Sequence, residues 1–184
     1  MNERAVYPVD VNGVKRDLRL FEVAPGLRIA ILNILGDTDL TIAAAKGLVK
    51  KLADVDYDLF ITAEAKSIPL AHAVSAESGK PYIVLRKGYK PYMGSVIEAE
   101  TVSITTGKKQ TLLLDEMDHA LVKGAKAVLI DDVISTGSTL IGMESIVEQA
   151  GGSVAAIAAI FTEGDANEWA HVVSLGHLPL FTDE

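Results

Sequence analysis

Residues 128–140 read VLIDDVISTGSTL: three apolar residues, two adjacent acids, two more apolar residues, then small hydroxylated residues around a glycine. The apolar start has the character of a strand buried on both faces. Ser135, Thr136, Gly137, Ser138 and Thr139 then open a helix in which Leu140, Met143, Val147 and Ala150 share one face, and Gly151-Gly152 ends it. A turn of small residues ahead of a helix presents backbone N–H groups and hydroxyls at the positive end of the helix dipole, an anion site suited to a phosphate monoester. Gly137 allows the backbone to come close to that anion. Asp131 and Asp132 end the strand, within reach of a sugar carrying the phosphate, where carboxylates accept hydrogen bonds from vicinal hydroxyls and attract a divalent cation. Taken singly, such residues more commonly mean a polar strand end and a Ser/Thr helix cap. Capping alone does not account for two mutually repelling carboxylates beside a five-residue small-polar turn.

Outward from this stretch, short apolar runs recur at residues 57–63 (YDLFITA), 81–86 (PYIVLR), 125–131 (AKAVLID) and 153–161 (SVAAIAAIF). Between them lie helical stretches. Residues 39–55 place Ile42, Ala45, Leu48, Val49 and Leu52 on one face, and residues 67–78 carry Pro69 in the first turn and Gly79 at the end. Strand alternating with helix implies an α/β fold with a parallel sheet flanked by helices and a ligand beyond the carboxyl ends of the strands. Residues 94–114 interrupt the alternation with Val96, Val102, Ile104 and Leu112 to Leu114 among Ser and Thr, a β-hairpin insertion turning near Thr106-Gly107. Residues 1–38 read as short β-like pieces punctuated by Pro8, Gly13, Pro25 and Gly26, an N-terminal hood. The expected organisation is one domain over residues 1–184, with a core at 57–164 that includes residues 86–114.

A chain of 184 residues, 49% hydrophobic and without cysteine, fits one such domain and excludes disulfide scaffolds and thiolate metal sites. The longest apolar run, residues 154–161, is far short of a membrane span, and the start shows no export signal, so a cytoplasmic protein with no membrane partner is expected. A formal net charge of -8 disfavours nucleic acid as a partner. His72, His119, His171 and His177 lack metal-site spacing. Thr106-Gly107-Lys108 lacks the first glycine of a P-loop.

The stretch 128–140 resembles the phosphoribosyl diphosphate (PRPP) signature of type I phosphoribosyltransferases, with apolar strand, paired acids and Thr-Gly-Ser-Thr turn in order. The resemblance implies that Ser135, Thr136, Gly137, Ser138 and Thr139 hold the 5-phosphate, while Asp131 and Asp132 bind the ribose hydroxyls and help locate Mg2+ that arrives mainly with PRPP. Residues 61–70 (ITAEAKSIPL) resemble the pyrophosphate loop of the adenine and xanthine branch, through Glu64, Ala65, Lys66 and Ser67, with Ser67 where a glycine is usual. Alone, Lys66 reads as a solvated loop charge. Arg86, Lys87 and Lys90 follow a buried strand in an order similar to that of adenine phosphoribosyltransferases; they read as a pyrophosphate clamp, and the hairpin behind them as a mobile lid. Lys108 and Lys109 either ride on that lid or solubilise its turn.

For the base, Asn33 stands in a Leu-Asn context like that of xanthine-type relatives, and otherwise only ends a strand. Glu163, after the last long strand, is placed to accept from an exocyclic amine. Trp169 and Phe181 read as packing more readily than as base-stacking rings. The resemblance implies a glycosyltransferase of purine salvage, with adenine favoured and xanthine next, acting as a homodimer. The same region also looks like the effector domain of purine repressors, so a PRPP-binding regulator without catalysis is the alternative.

Overall fold

The computed structural model describes residues 5–102 and 109–182. In chain order its elements are β1 (Val6–Val11), β2 (Val14–Ala24), β3 (Leu27–Ile31), α1 (Thr38–Lys51), β4 (Leu59–Ala63), α2 (Ile68–Ser78), β5 (Tyr82–Leu85), β6 (Ile97–Val102), β7 (Lys109–Leu114), α3 (His119–Val122), β8 (Lys126–Ile134), α4 (Ser138–Gln149), β9 (Ser153–Glu163), β10 (Val173–Leu178) and β11 (Phe181–Thr182). The four expected core strands all form. They join a fifth in a wholly parallel sheet of order β10-β9-β8-β4-β5.

The apolar runs divide by strand period, since successive side chains leave opposite faces of the sheet. Phe60, Val128 and Ile130 pack with α1, α2 and the first strands, whereas Ile61, Leu129 and Ala159 pack with α4 and the β6–β7 hairpin. Ala127, Val128, Leu129 and Ile130 are fully buried, which explains why β8 reads as an uninterrupted apolar run.

Two features of the ends depart from the sequence reading. The hood is a four-stranded sheet of order β1-β2-β3-β11, so the C-terminus supplies its last strand, antiparallel to β3. Its Val11, Leu18 and Ala30 are buried in the cluster with α1. The hood's inner face is therefore part of the core. Arg16 on β2 makes two 2.7 Å contacts to Asp37, which also accepts from the Leu40 N–H as the cap of α1. One carboxylate thus joins hood to helix start, a cap worth about 1 kcal/mol in general.

The hairpin forms as expected, β6 antiparallel to β7. Its described strands are packed elements: Ala99, Leu112 and Leu114 are buried, and Gly142 of α4 lets Thr101 and Leu112 approach the helix closely. The expected turn at Thr106-Gly107, with Ile104 and Lys108, lies outside the described residues. No helix among the described residues is long and apolar enough to cross a membrane.

Candidate active site

The site forms where β4 and β8 end side by side. Alternation along β8 sends Asp131 and Asp132 to opposite faces of the sheet edge, and one side chain from the neighbouring loop reaches both. Ser67, buried at the start of α2, donates its hydroxyl to Asp131 Oδ1 at 2.5 Å and accepts from the Asp132 N–H at 3.0 Å; Asp132 Oδ1 lies 3.2 Å away. A hydroxyl has one proton to give, so the shorter contact takes it. With φ −88° and ψ −1°, Ser67 needs no glycine conformation. Its hydroxyl adds a bridge that glycine lacks.

Lys66 Nζ lies 2.6 Å from Asp132 Oδ2, so Asp132 is a buried member of an ion pair. Among the described residues, Asp131 has no cation of its own. Burial, reinforced by the neighbouring Asp132 charge, lifts its pKa to about 7 against the pull of the Ser67 hydrogen bond.

The loop that carries Lys66 and Ser67 is itself clasped. The Glu64–Ala65 peptide is cis. Glu64 accepts from Arg86 Nε at 2.7 Å and from the Lys87 N–H at 2.6 Å, tying the end of β4 to the end of β5. Desolvation pushes the Glu64 carboxyl up, but the Lys87 N–H and the Arg86 guanidinium outweigh it and leave the pKa below the usual range. A cavity of about 200 Å³ lies over this arrangement, lined by residues 63–67, Lys87, both aspartates and Thr139.

Next to it, residues 133–140 and Asp131 line a cradle of about 50 Å³. The helix cap here is Gly137, at φ +70°, with no side-chain cap hydrogen bond. This sets aside the simple capping reading of the serines and threonines. Among the described residues the first-turn N–H groups of α4 have no side-chain acceptor, which is how a helix start receives an anion. Thr136 and Ser138 hydroxyls lie 3.3 Å apart beside it.

Of the residues singled out from sequence, Asp131, Asp132, Lys87, Glu64, Ala65, Lys66, Ser67 and Thr139 share one cavity wall, and Ser135, Thr136, Gly137 and Ser138 line the adjoining cradle. Arg86 does not line that cavity, and its Nε is bonded to Glu64. Lys90 is exposed before a short 3-10 turn at Pro91–Met93. Asn33 is exposed and accepts from the Leu35 N–H; the depression it lines belongs to the hood with Arg19 and Phe21. Glu163 is buried at the end of β9, its pKa raised by burial and opposed by the nearby Lys66 charge. Two further residues hold the end of β9: His177, which the sequence discounts as a metal ligand, and Trp169, which it reads as packing. His177 contacts Thr162 Oγ1 and the Gly164 carbonyl, and Trp169 donates to the Glu163 carbonyl. The only local hint for either was a polar or aromatic residue near a strand end.

As to metal, no group of three or more His, Cys, Asp and Glu side chains is placed to hold an ion among the described residues. The two aspartates, one paired with Lys66 and one bonded to Ser67, fit a hard cation that draws its remaining oxygen ligands from a bound diphosphate and water.

Residues 32–173 match the family model described as phosphoribosyl transferase domain, and the chain belongs to that family. It is 31% identical over 132 residues to a hypoxanthine/guanine phosphoribosyltransferase of Ferroglobus placidus, covering 72% of this chain and 66% of that protein. It is 27% identical over 135 residues to the purine biosynthesis transcriptional repressor PurR of Bacillus subtilis, covering 73% of this chain and 47% of the repressor. The chain thus spans just under two thirds of the length of the first relative and under half of the second. The fold is shared with the adenine phosphoribosyltransferase of Thermoanaerobacter pseudethanolicus, at TM-score 0.67 and 20% identity, over 94% of this chain and 95% of that one.

Proposed function

We propose that the protein is a purine phosphoribosyltransferase, transferring 5-phosphoribose from PRPP to a purine and releasing pyrophosphate. The observation that carries this is the Ser67 bridge: one hydroxyl joins the loop beside a diphosphate-sized cavity to both acids that flank the phosphate cradle. In this reading residues 135–139 take the 5-phosphate, Asp131 and Asp132 the ribose hydroxyls, and Lys66 and Lys87 the diphosphate. A purine ring nitrogen attacks the anomeric carbon as the bond to diphosphate breaks, and the electron pair departs with the leaving group. Charge then builds on diphosphate, and cations fixed beforehand stabilise it most. Mg2+ bound with PRPP would share that neutralisation.

The sequence relatives named for hypoxanthine and guanine weigh against taking adenine as the sole acceptor. The buried Glu163 carboxylate supports a purine bearing an exocyclic amine, adenine or guanine. Pyrophosphate release from PRPP, measured with adenine, guanine, hypoxanthine and xanthine in turn, tests this: release with an aminopurine is expected. The repressor relative supports the second reading, a PRPP sensor. Tight PRPP binding with no release on any of the four bases would establish it.

A further inference from the structure

Trp169, the single tryptophan of the chain, lies between β9 and β10 and is pinned at one end by its Nε1–H bond to the Glu163 carbonyl, 3.0 Å long. The other edge of the indole rests on the phosphate turn. A Cβ built on Gly137 would stand 2.9 Å from Cη2 and 3.5 Å from Cζ3 of that ring. Gly137 is thus held to glycine twice over, by its φ of +70° and by the ring that occupies the space a side chain would take. The ring packs on the same apolar cluster as Leu140 and Met143 of α4, which fixes it from behind. An indole has two rotatable bonds, and here a hydrogen bond and a packed face remove that freedom, so it acts as a rigid strut.

The strut joins two parts of the site that the chain separates by more than twenty residues. On one side is the turn whose uncapped N–H groups form the anion cradle; on the other is the strand end whose buried carboxylate is Glu163. We propose that Trp169 is a positioning residue for the phosphate turn: its ring holds Gly137 in the conformation that aims the N–H groups into the cradle, and its N–H fixes the end of β9 at a set distance from it. This rests on assigning the turn to the 5-phosphate.

Ribose 5-phosphate titrated into the full chain, followed in parallel by calorimetry and by indole emission, tests the proposal. Heat of binding accompanied by a saturable emission change along the same isotherm is expected. Heat with unchanged emission overturns the role of Trp169 and leaves the phosphate assignment standing; no heat at all sinks both. Trp169→Leu, which removes the ring, should weaken ribose 5-phosphate binding about tenfold, and Trp169→Phe, which keeps a ring on the apolar cluster but withdraws the far indole edge from Gly137, by no more than about threefold. Because Trp169→Leu could disturb folding, the deciding comparison is a cycle with Gly137→Ala. Contact between the two sites requires that Gly137→Ala cost less affinity in the Trp169→Phe background than in wild type. Equal costs in both backgrounds overturn the strut.

Discussion

Two loops meet at the acid pair, and they are built on opposite plans. The turn at 135–139 carries no charged side chain, and its glycine cap leaves backbone N–H groups ready for an incoming anion. The loop at 64–67 is already saturated: Lys66 is paired with Asp132, Glu64 with Arg86 and the Lys87 N–H, and Ser67 with both acids. In the proposed reading, a phosphate at the turn would meet N–H groups that no side chain caps. In the same reading, a diphosphate on the other side would have to draw Lys66 off the buried Asp132, freeing that carboxylate for the ribose. On that reading the turn at 135–139 is the fixed anchor and the loop at 64–67 the responsive part.

Breaking the responsive side should have the larger effects. Lys87→Ala removes the cation that lines the cavity and has no side-chain bond of its own among the described residues; turnover should fall about a hundredfold while PRPP affinity changes far less. Pyrophosphate-release kinetics beside direct binding would show this, and equal losses in both would count against it. On the anchor side, Gly137→Ala forces a side chain into left-handed backbone, costing about 1–2 kcal/mol, or roughly tenfold in ribose 5-phosphate affinity. Calorimetry measures it, with thermal unfolding as a check on the fold.

Ser67→Ala tests the joint between the two loops. It leaves the Asp131 carboxylate and the Asp132 N–H without their shared partner, at a cost of about 1 kcal/mol, several-fold in PRPP affinity. Ser67→Thr should retain most of the affinity, and a Thr variant no better than Ala would argue against the hydroxyl bridge.

The smallest effect concerns acid. Glu64 has a depressed pKa in the folded chain, so its contribution is full above the unfolded value of about 4.3 and is lost as pH falls through the folded one. Amide exchange at Lys87, whose N–H Glu64 holds, should accelerate below about pH 4 beyond the intrinsic trend, and Glu64→Gln should remove that excess. The turn at 135–139 lacks carboxylates and should show no such excess.

The sheet's central strands were legible because β4, most of β8 and the second half of β9, from Ile157 on, are buried on both faces and therefore read as apolar runs. The paired acids and the small-residue turn were legible because their chemistry is local in sequence. β10 was not: VSLGHL sits at the sheet edge, mostly half-buried, and Gly176 with His177 breaks its pattern. The pairing of Phe181 with Arg28 joins the two ends of the chain, and no local pattern announces it. Ser67 looked like a departure from the family's glycine, because its partners Asp131 and Asp132 lie 64 and 65 positions away. Separation along the chain likewise hid the contact of Trp169 with Gly137.

The measurement that bears most directly on the whole account is calorimetric titration of ribose 5-phosphate into wild type and into the paired variant Asp131→Asn with Asp132→Asn. If the acids and the cradle grip one phosphorylated pentose, wild type binds and the variant, with its fold intact by thermal unfolding, loses at least about tenfold in affinity. Equal affinity in the two proteins would contradict it.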